Sequence, residues 1–105
     1  MNKQRFAFRG KVWRYEGKAA WHFLTLSKSL AKRIEKVAQG QTRAWGSLGI
    51  EVEVDEVQWK TSLFRDKKSD SYLLPLKSQI RKRLGMHAGD TIRGYIVLEK
   101  ESPFF

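Results

Sequence analysis

Cysteine is absent from the 105-residue chain, which excludes a disulfide framework, a thiolate metal site and a thiol nucleophile together. Histidine is scarce. His22 and His87 are the only imidazoles, and two without a partner pattern make no metal site. His22 alternates with Trp21 and Phe23, a setting in which histidine ordinarily packs rather than ligates. No run of eighteen uncharged apolar residues occurs, and the opening MNKQRFAFRG has no apolar stretch of signal-peptide length, so a soluble, cytoplasmic protein is expected. Nothing surrounds Ser62, His87 and Asp90 that resembles a nucleophile elbow. Gly85 and Gly89 lack the Lys-Ser/Thr pair that should follow in a phosphate loop. The chain is therefore expected to be no enzyme and to carry no metal or other cofactor.

Acidic residues are also few, and unevenly so. Lys and Arg number 21 against 11 Asp and Glu, a formal charge of +10 with a pI near 10.2. Residues 1–50 hold 11 basic and 2 acidic side chains, whereas residues 51–105 hold 10 and 9. The first half makes nearly all of the field. A small domain of this charge attracts polyanions through phosphate contacts that displace counterions, without needing a specific site. At this length the chain is one domain, residues 1–105, with a single core.

Periodicity predicts mostly strands. Phe6, Phe8 and Val12 alternate with Arg5, Arg9 and Lys11 between residues 5 and 15, with Gly10 as a bulge. AWHFLTL (20–26) reads as a second strand. Ser27 or Ser29 caps a helix in which Leu30, Ile34 and Val37 recur before Gly40 ends it, with Lys28, Lys32 and Lys36 on its open face. A turn around Gly46 and Gly49 leads into LGIEVEVDEVQWKTSLF, where Leu48, Ile50, Val52 and Val54 alternate with Glu51, Glu53 and Asp55. The phase slips after Val54, which predicts a bulge or bend near Asp55 and Glu56, then a loop through RDKKSDS.

The segment YLLPLKSQIRKRLGMHAGD (72–90) carries the densest local signal. Pro75 lacks a backbone donor and suits the end of a strand. Lys77 to Leu84 makes two helical turns with Ile80 and Leu84 on one stripe, Gly85 takes the left-handed C-terminal cap, and Gly89 with Asp90 turns into a last strand, TIRGYIVLEK. A shift of 50 residues aligns FLTLSKSLAKRI (23–34) with LLPLKSQIRKRL (73–84), matching Leu24 to Leu74, Leu26 to Leu76, and Lys32 and Arg33 to Lys82 and Arg83. KVWR (11–14) resembles VQWK (57–60) at a shift of 46, placing Trp13 beside Trp59 as packing residues. Two half-repeats, roughly 5–46 and 50–99, follow, and with them a pseudo-twofold barrel.

On these residues LPLKSQIRKRLGMHAGD resembles the half-barrel signature of the AbrB and MazE swapped-hairpin regulators. With both halves in one chain and TSLF (61–64) ahead of the motif, the sequence is similar to the family called domain of unknown function 1905. The resemblance runs from about Phe6 to Leu98. Its sharp part spans residues 59–98, carried by Trp59, Thr61, Ser62, Leu63, Tyr72, Pro75, Leu76, Lys77, Arg81, Gly85, Gly89 and Asp90. It implies a double-split β-barrel, mainly β with two short helices, and brings no settled activity. One departure stands out: where a glycine-rich turn should precede the tyrosine, the chain has Asp66-Lys67-Lys68-Ser69-Asp70-Ser71.

Two functions fit. One is nucleic-acid binding, to DNA or RNA, through the basic helices, with Lys32 and Arg33 in the first half and Lys77, Arg81, Lys82 and Arg83 in the second; Pro75, Gly85, Gly89 and Asp90 then shape the backbone. The other is a protein-interaction or assembly module whose basic face meets an acidic partner. Arg5, Arg9 and Lys11 are expected to pair across strands with Glu51, Glu53 and Asp55. A monomer, with no membrane partner, is expected.

Overall fold

The computed structural model describes residues 3–17, 19–38 and 47–99. Along the chain run β1 (Lys3–Arg14), β2 (His22–Thr25), α1 (Lys28–Val37), β3 (Ser47–Val54), β4 (Val57–Asp66), β5 (Ser71–Pro75), α2 (Ser78–Leu84) and β6 (Thr91–Glu99). The strands pair antiparallel and close into a barrel in the order β1-β2-β5-β4-β3-β6. Every strand thus has a neighbour on each side, although the β1–β2, β2–β5 and β4–β5 ladders are each only three residue pairs long. The architecture is mainly β with two helices.

Period-two alternation decides what fills the barrel. Phe6, Phe8 and Val12 of β1 point inward with Leu48, Ile50, Val52 and Val54 of β3, and Leu24, Leu63, Leu74, Ile96 and Leu98 complete the interior. Gly10 holds the inward position between Phe8 and Val12, and a Cβ there would sit 2.7 Å from Leu24 Cδ2. β1 shows no bulge at Gly10: its register with β6 runs unbroken from Lys3↔Glu99 to Lys11↔Thr91. The glycine serves close packing against Leu24, a cause that lies across the sheet and not in the local pattern.

The helices cover opposite ends. Ser27 caps α1, its Oγ accepting from the Leu30 amide at 3.2 Å, and Leu30, Ala31 and Ile34 are buried. Arg33 lies 5.5 Å over the Phe6 ring, and Glu35 reaches Arg65 at 3.3 Å. α1 therefore sits at the Phe6 end of β1. α2 is tied to the other end: the Leu76 amide donates to His22 O at 2.9 Å, the Gly89 amide to Val12 O at 2.8 Å, and the Val12 amide to Asp90 O at 2.8 Å. Phe6 and Val12 are six strand residues apart, about 20 Å. Residues of the two predicted halves meet along β1–β6 and along β2–β5, where Leu24 stands opposite Leu74 and the Leu26 amide donates to Tyr72 O at 3.0 Å; the barrel closes without showing a twofold repeat.

Several expectations are corrected. β3 and β4 are separate strands joined by a two-residue hairpin at Asp55-Glu56, with Asp55 at φ 55, rather than one strand with a bend. The phase slip was real, but without the Asn-Gly or Asp-Gly pair that marks such turns it does not announce a reversal. Gly49 lies inside β3 opposite Ser62, not in a turn. α1 ends at Val37, with Ala38 as its C-cap; Gly40 and Gly46 lie outside the described residues. Trp13 and Trp59 are not equivalent: Trp59 stands opposite the fully buried Val52 and packs on the core, whereas Trp13 faces outward.

Candidate nucleic-acid interface

Because Phe6, Phe8 and Val12 point inward, the intervening Arg5, Arg9, Lys11 and Trp13 share the outer face of β1. The predicted pairing of Arg5, Arg9 and Lys11 with the acidic strand requires β1 beside β3. Instead β6 lies between them. Arg5 alone bridges the gap, crossing 4.1 Å above the Tyr95 ring to reach Glu53 Oε1 at 2.9 Å. Glu51 faces Lys60 of β4, across the hairpin. Among the described residues the other ion pairs are Arg65 with Glu35 and Asp70, and His87 with Asp90. Arg9 and Lys11 thus have no carboxylate partner there. Arg9 stands directly opposite Arg93 of β6, a third cation without one. Like charges facing each other across a ladder destabilise it.

The helical cations do not converge. Lys32 and Arg33 are exposed on α1 at one end, and Lys82 and Arg83 on the last turn of α2 at the other. The quasi-symmetric footprint expected from the repeat is not one continuous patch, since the barrel's length separates its halves. Lys77 is the exposed N-cap residue of α2, with no side-chain cap bond. Arg81 is half-buried, its Nε donating to Leu76 O at 3.0 Å, which ties it to the backbone entering the helix. Pro75 closes β5 opposite Phe23. Gly85 adopts φ 65 as the cap of α2 and Gly89 φ 97. Asp90 Oδ2 accepts from the His87 amide at 2.8 Å and so braces the turn.

A cluster of aromatics continues the cationic face of β1. Trp13 pairs with Phe23 across the β1–β2 ladder, with ring centroids 5.3 Å apart. Tyr15 meets Phe23 edge-on at 6.4 Å and Trp21 lies 6.0 Å from it. The Trp13 indole donates to Thr25 Oγ1 at 2.9 Å, which fixes its ring. Phe23 is covered, but Tyr15 is 53% and Trp21 57% exposed. Tyr15, Gly17, Ala19, Trp21 and Phe23 line a cleft of about 310 Å³. In the sequence, the only signal of this cleft is the run of odd-numbered aromatics Trp13, Tyr15, Trp21 and Phe23, split between two segments of the chain.

The turn that departs from the glycine-rich pattern is built from charges. Asp70 takes the left-handed conformation at φ 53, and Arg65 holds it at 2.7 Å. Asp66 Oδ2 accepts from the Ser69 amide at 3.1 Å and its hydroxyl at 2.7 Å. The bond from Arg65 keeps the Asp70 carboxyl below its ordinary range, the bond from the Ser69 hydroxyl does the same for Asp66, and burial pushes the Tyr72 phenol up. Ser71, fully buried, donates to Leu26 O at 2.7 Å. Through the Arg65–Glu35 pair and the Ser71 bond to Leu26 this turn is tied to α1 and the segment that enters it.

A closed six-stranded barrel with a helix at each end defines a small β-barrel domain. Its family model, described as "Domain of unknown function (DUF1905)", matches residues 8–94, and the chain belongs to that family. No curated protein matches it. Among the described residues no helix is long and apolar enough to cross a membrane, and no three His, Cys, Asp or Glu side chains gather as metal ligands would.

Proposed function

We propose that this domain binds nucleic acid without catalysing a reaction, as a cytoplasmic monomer. The observation carrying the reading is the row of Arg9, Lys11 and Arg93 on the outer face of β1 and β6, in which Arg9 directly opposes Arg93 and, among the described residues, none of the three meets a carboxylate. An opposed pair of cations that destabilises the empty sheet becomes favourable when phosphate supplies the missing charge. The exposed Lys82 and Arg83 of α2 add to the field from the Val12 end. Lys32 and Arg33 belong to a second, separate surface.

The test is the salt dependence of oligonucleotide binding. Replacing Arg9, Lys11 and Arg93 by glutamine should lower the slope of log K against log salt by up to about 2.7, at about 0.9 per phosphate contact on a duplex. Replacing Lys82 and Arg83 should lower it by at most about 1.8 on the same scale. An unchanged slope in the strand variant removes the assigned surface. If wild type binds no oligonucleotide at about 50 mM salt, nucleic acid is the wrong partner. A nuclease-resistant pull-down of an acidic protein would then favour the assembly reading.

A further inference from the structure

The cleft beside Trp13 lies on the outside of the barrel. Trp13, Tyr15 and Trp21 pack around Phe23, yet Tyr15 and Trp21 remain over half exposed and frame an open space. Exposed aromatic surface of this kind is unfavourable in water unless something covers it. At about 310 Å³ the cleft lies at the small end of the range that accepts organic ligands, roughly 300–1,000 Å³, so it suits one planar ring system and not a large cofactor.

What covers it is indicated by its neighbours. Lys11 lies two residues from Trp13 on the same face of β1, about 7 Å along the strand, and Arg9 lies about 14 Å away. Arg93 stands opposite Arg9. A row of cations ending at aromatic rings is what a polyanion with flat apolar side groups requires. A proline-rich peptide would also use aromatic walls, but it has no need of a row of three cations beside them.

We infer that the Tyr15–Trp21–Phe23 cleft receives an unpaired base of a single-stranded nucleic acid whose phosphates run along Lys11, Arg9 and Arg93. This rests on the proposed function and specifies its substrate class: single strands over duplex, since a base held in a helical stack cannot enter the cleft. Phe23 forms the floor, rigid because Trp13 and Pro75 hold it from both neighbouring strands. Tyr15 and Trp21 form the walls, braced by the Tyr15 amide donating to Trp21 O at 2.8 Å. Trp13 positions the floor through its bond to Thr25.

The experiment measures affinity of the whole chain for three labelled probes of roughly twelve nucleotides: a single strand, its duplex, and an abasic single strand with the same phosphates. The single strand should bind about ten-fold or more tightly than either of the others at equal salt. Trp21→Ala and Tyr15→Ala, both at exposed positions, should each reduce single-strand affinity about ten-fold, leaving abasic affinity and the salt slope unchanged. Trp21→Phe, which keeps a stacking face, should recover most of the loss. Equal, salt-dependent binding of single and abasic strands would overturn the base cleft while leaving the cationic surface intact. Absence of binding to all three probes would overturn both, and capture of a proline-rich peptide in place of the strand would reassign the cleft to peptides.

Discussion

Replacing Gly10 with alanine puts one methyl group where the barrel has no room for it. Its carbon would lie 2.7 Å from Leu24 Cδ2, 2.9 Å from Cγ and 3.3 Å from Cδ1. Carbon atoms rest at about 3.5–4.0 Å, so Leu24 must retreat by roughly 1 Å. It has nowhere to go: Leu24 is wholly buried and flanked across the ladders by the buried Val12 and Leu74. Overpacking of this kind costs about 1–3 kcal/mol, offset by about 0.4–1 kcal/mol from the stiffer unfolded chain. A net loss of up to about 2.6 kcal/mol corresponds to a melting point lower by up to roughly 10–20 °C. Thermal and denaturant melts followed by near-ultraviolet circular dichroism would measure it. The double variant Gly10→Ala/Leu24→Ala separates crowding from a backbone effect, since shortening Leu24 frees the space. It should be more stable than the sum of the single losses by about 0.5 kcal/mol or more. A Gly10→Ala protein as stable as wild type, or strictly additive losses, would show that the position is not packing-limited.

Leu26 and Leu76, matched across the two predicted half-repeats and both buried, should each lose about 2–5 kcal/mol on change to alanine; if either shifts the denaturation midpoint no more than a surface change does, the repeat is lost as an explanation of the core. Asp66 and Asp70 have carboxyl groups held below their unfolded range. Their contribution is present above the unfolded value of about 3.9 and disappears as pH falls through the lower folded values. Urea midpoints should therefore drop more steeply below about pH 4 in wild type than in Asp66→Asn/Asp70→Asn, and parallel profiles would refute the role of that turn.

Much of the local architecture is legible because its causes are local. Ser27 caps α1 where an apolar period of three to four begins, and Gly85 follows two helical turns of α2. The alternation of Leu48, Ile50, Val52 and Val54 with acids marks β3 from neighbouring residues alone. The misreadings share one origin. Gly10 looks like a bulge because the reason for its missing side chain, Leu24, sits on another strand. Asp55 and Asp70 adopt left-handed backbone without the glycine that would advertise it. Trp13 and Trp59 share similar flanking residues yet face opposite sides, because side-chain direction depends on strand register, which tetrapeptide similarity does not encode.

For the surface the division is sharper. Charge, its concentration in the first half and the absence of thiols are properties of composition, and with strand alternation they settle that Arg5, Arg9 and Lys11 share a face. Whether that face is neutralised depends on which strand lies alongside. Closure of the barrel places β6 between β1 and β3, so Arg5 reaches Glu53 while Arg9 meets Arg93. Closure also sets α1 and α2 at opposite ends and folds β2 back along β1, bringing Trp21 and Phe23 beside Tyr15 and Trp13. Sequence by itself determined which residues alternate, cap and carry charge, because those preferences act within a few residues. Only the tertiary structure decided which charges find partners and which aromatics form a cleft, because both depend on contacts between strands far apart in the chain.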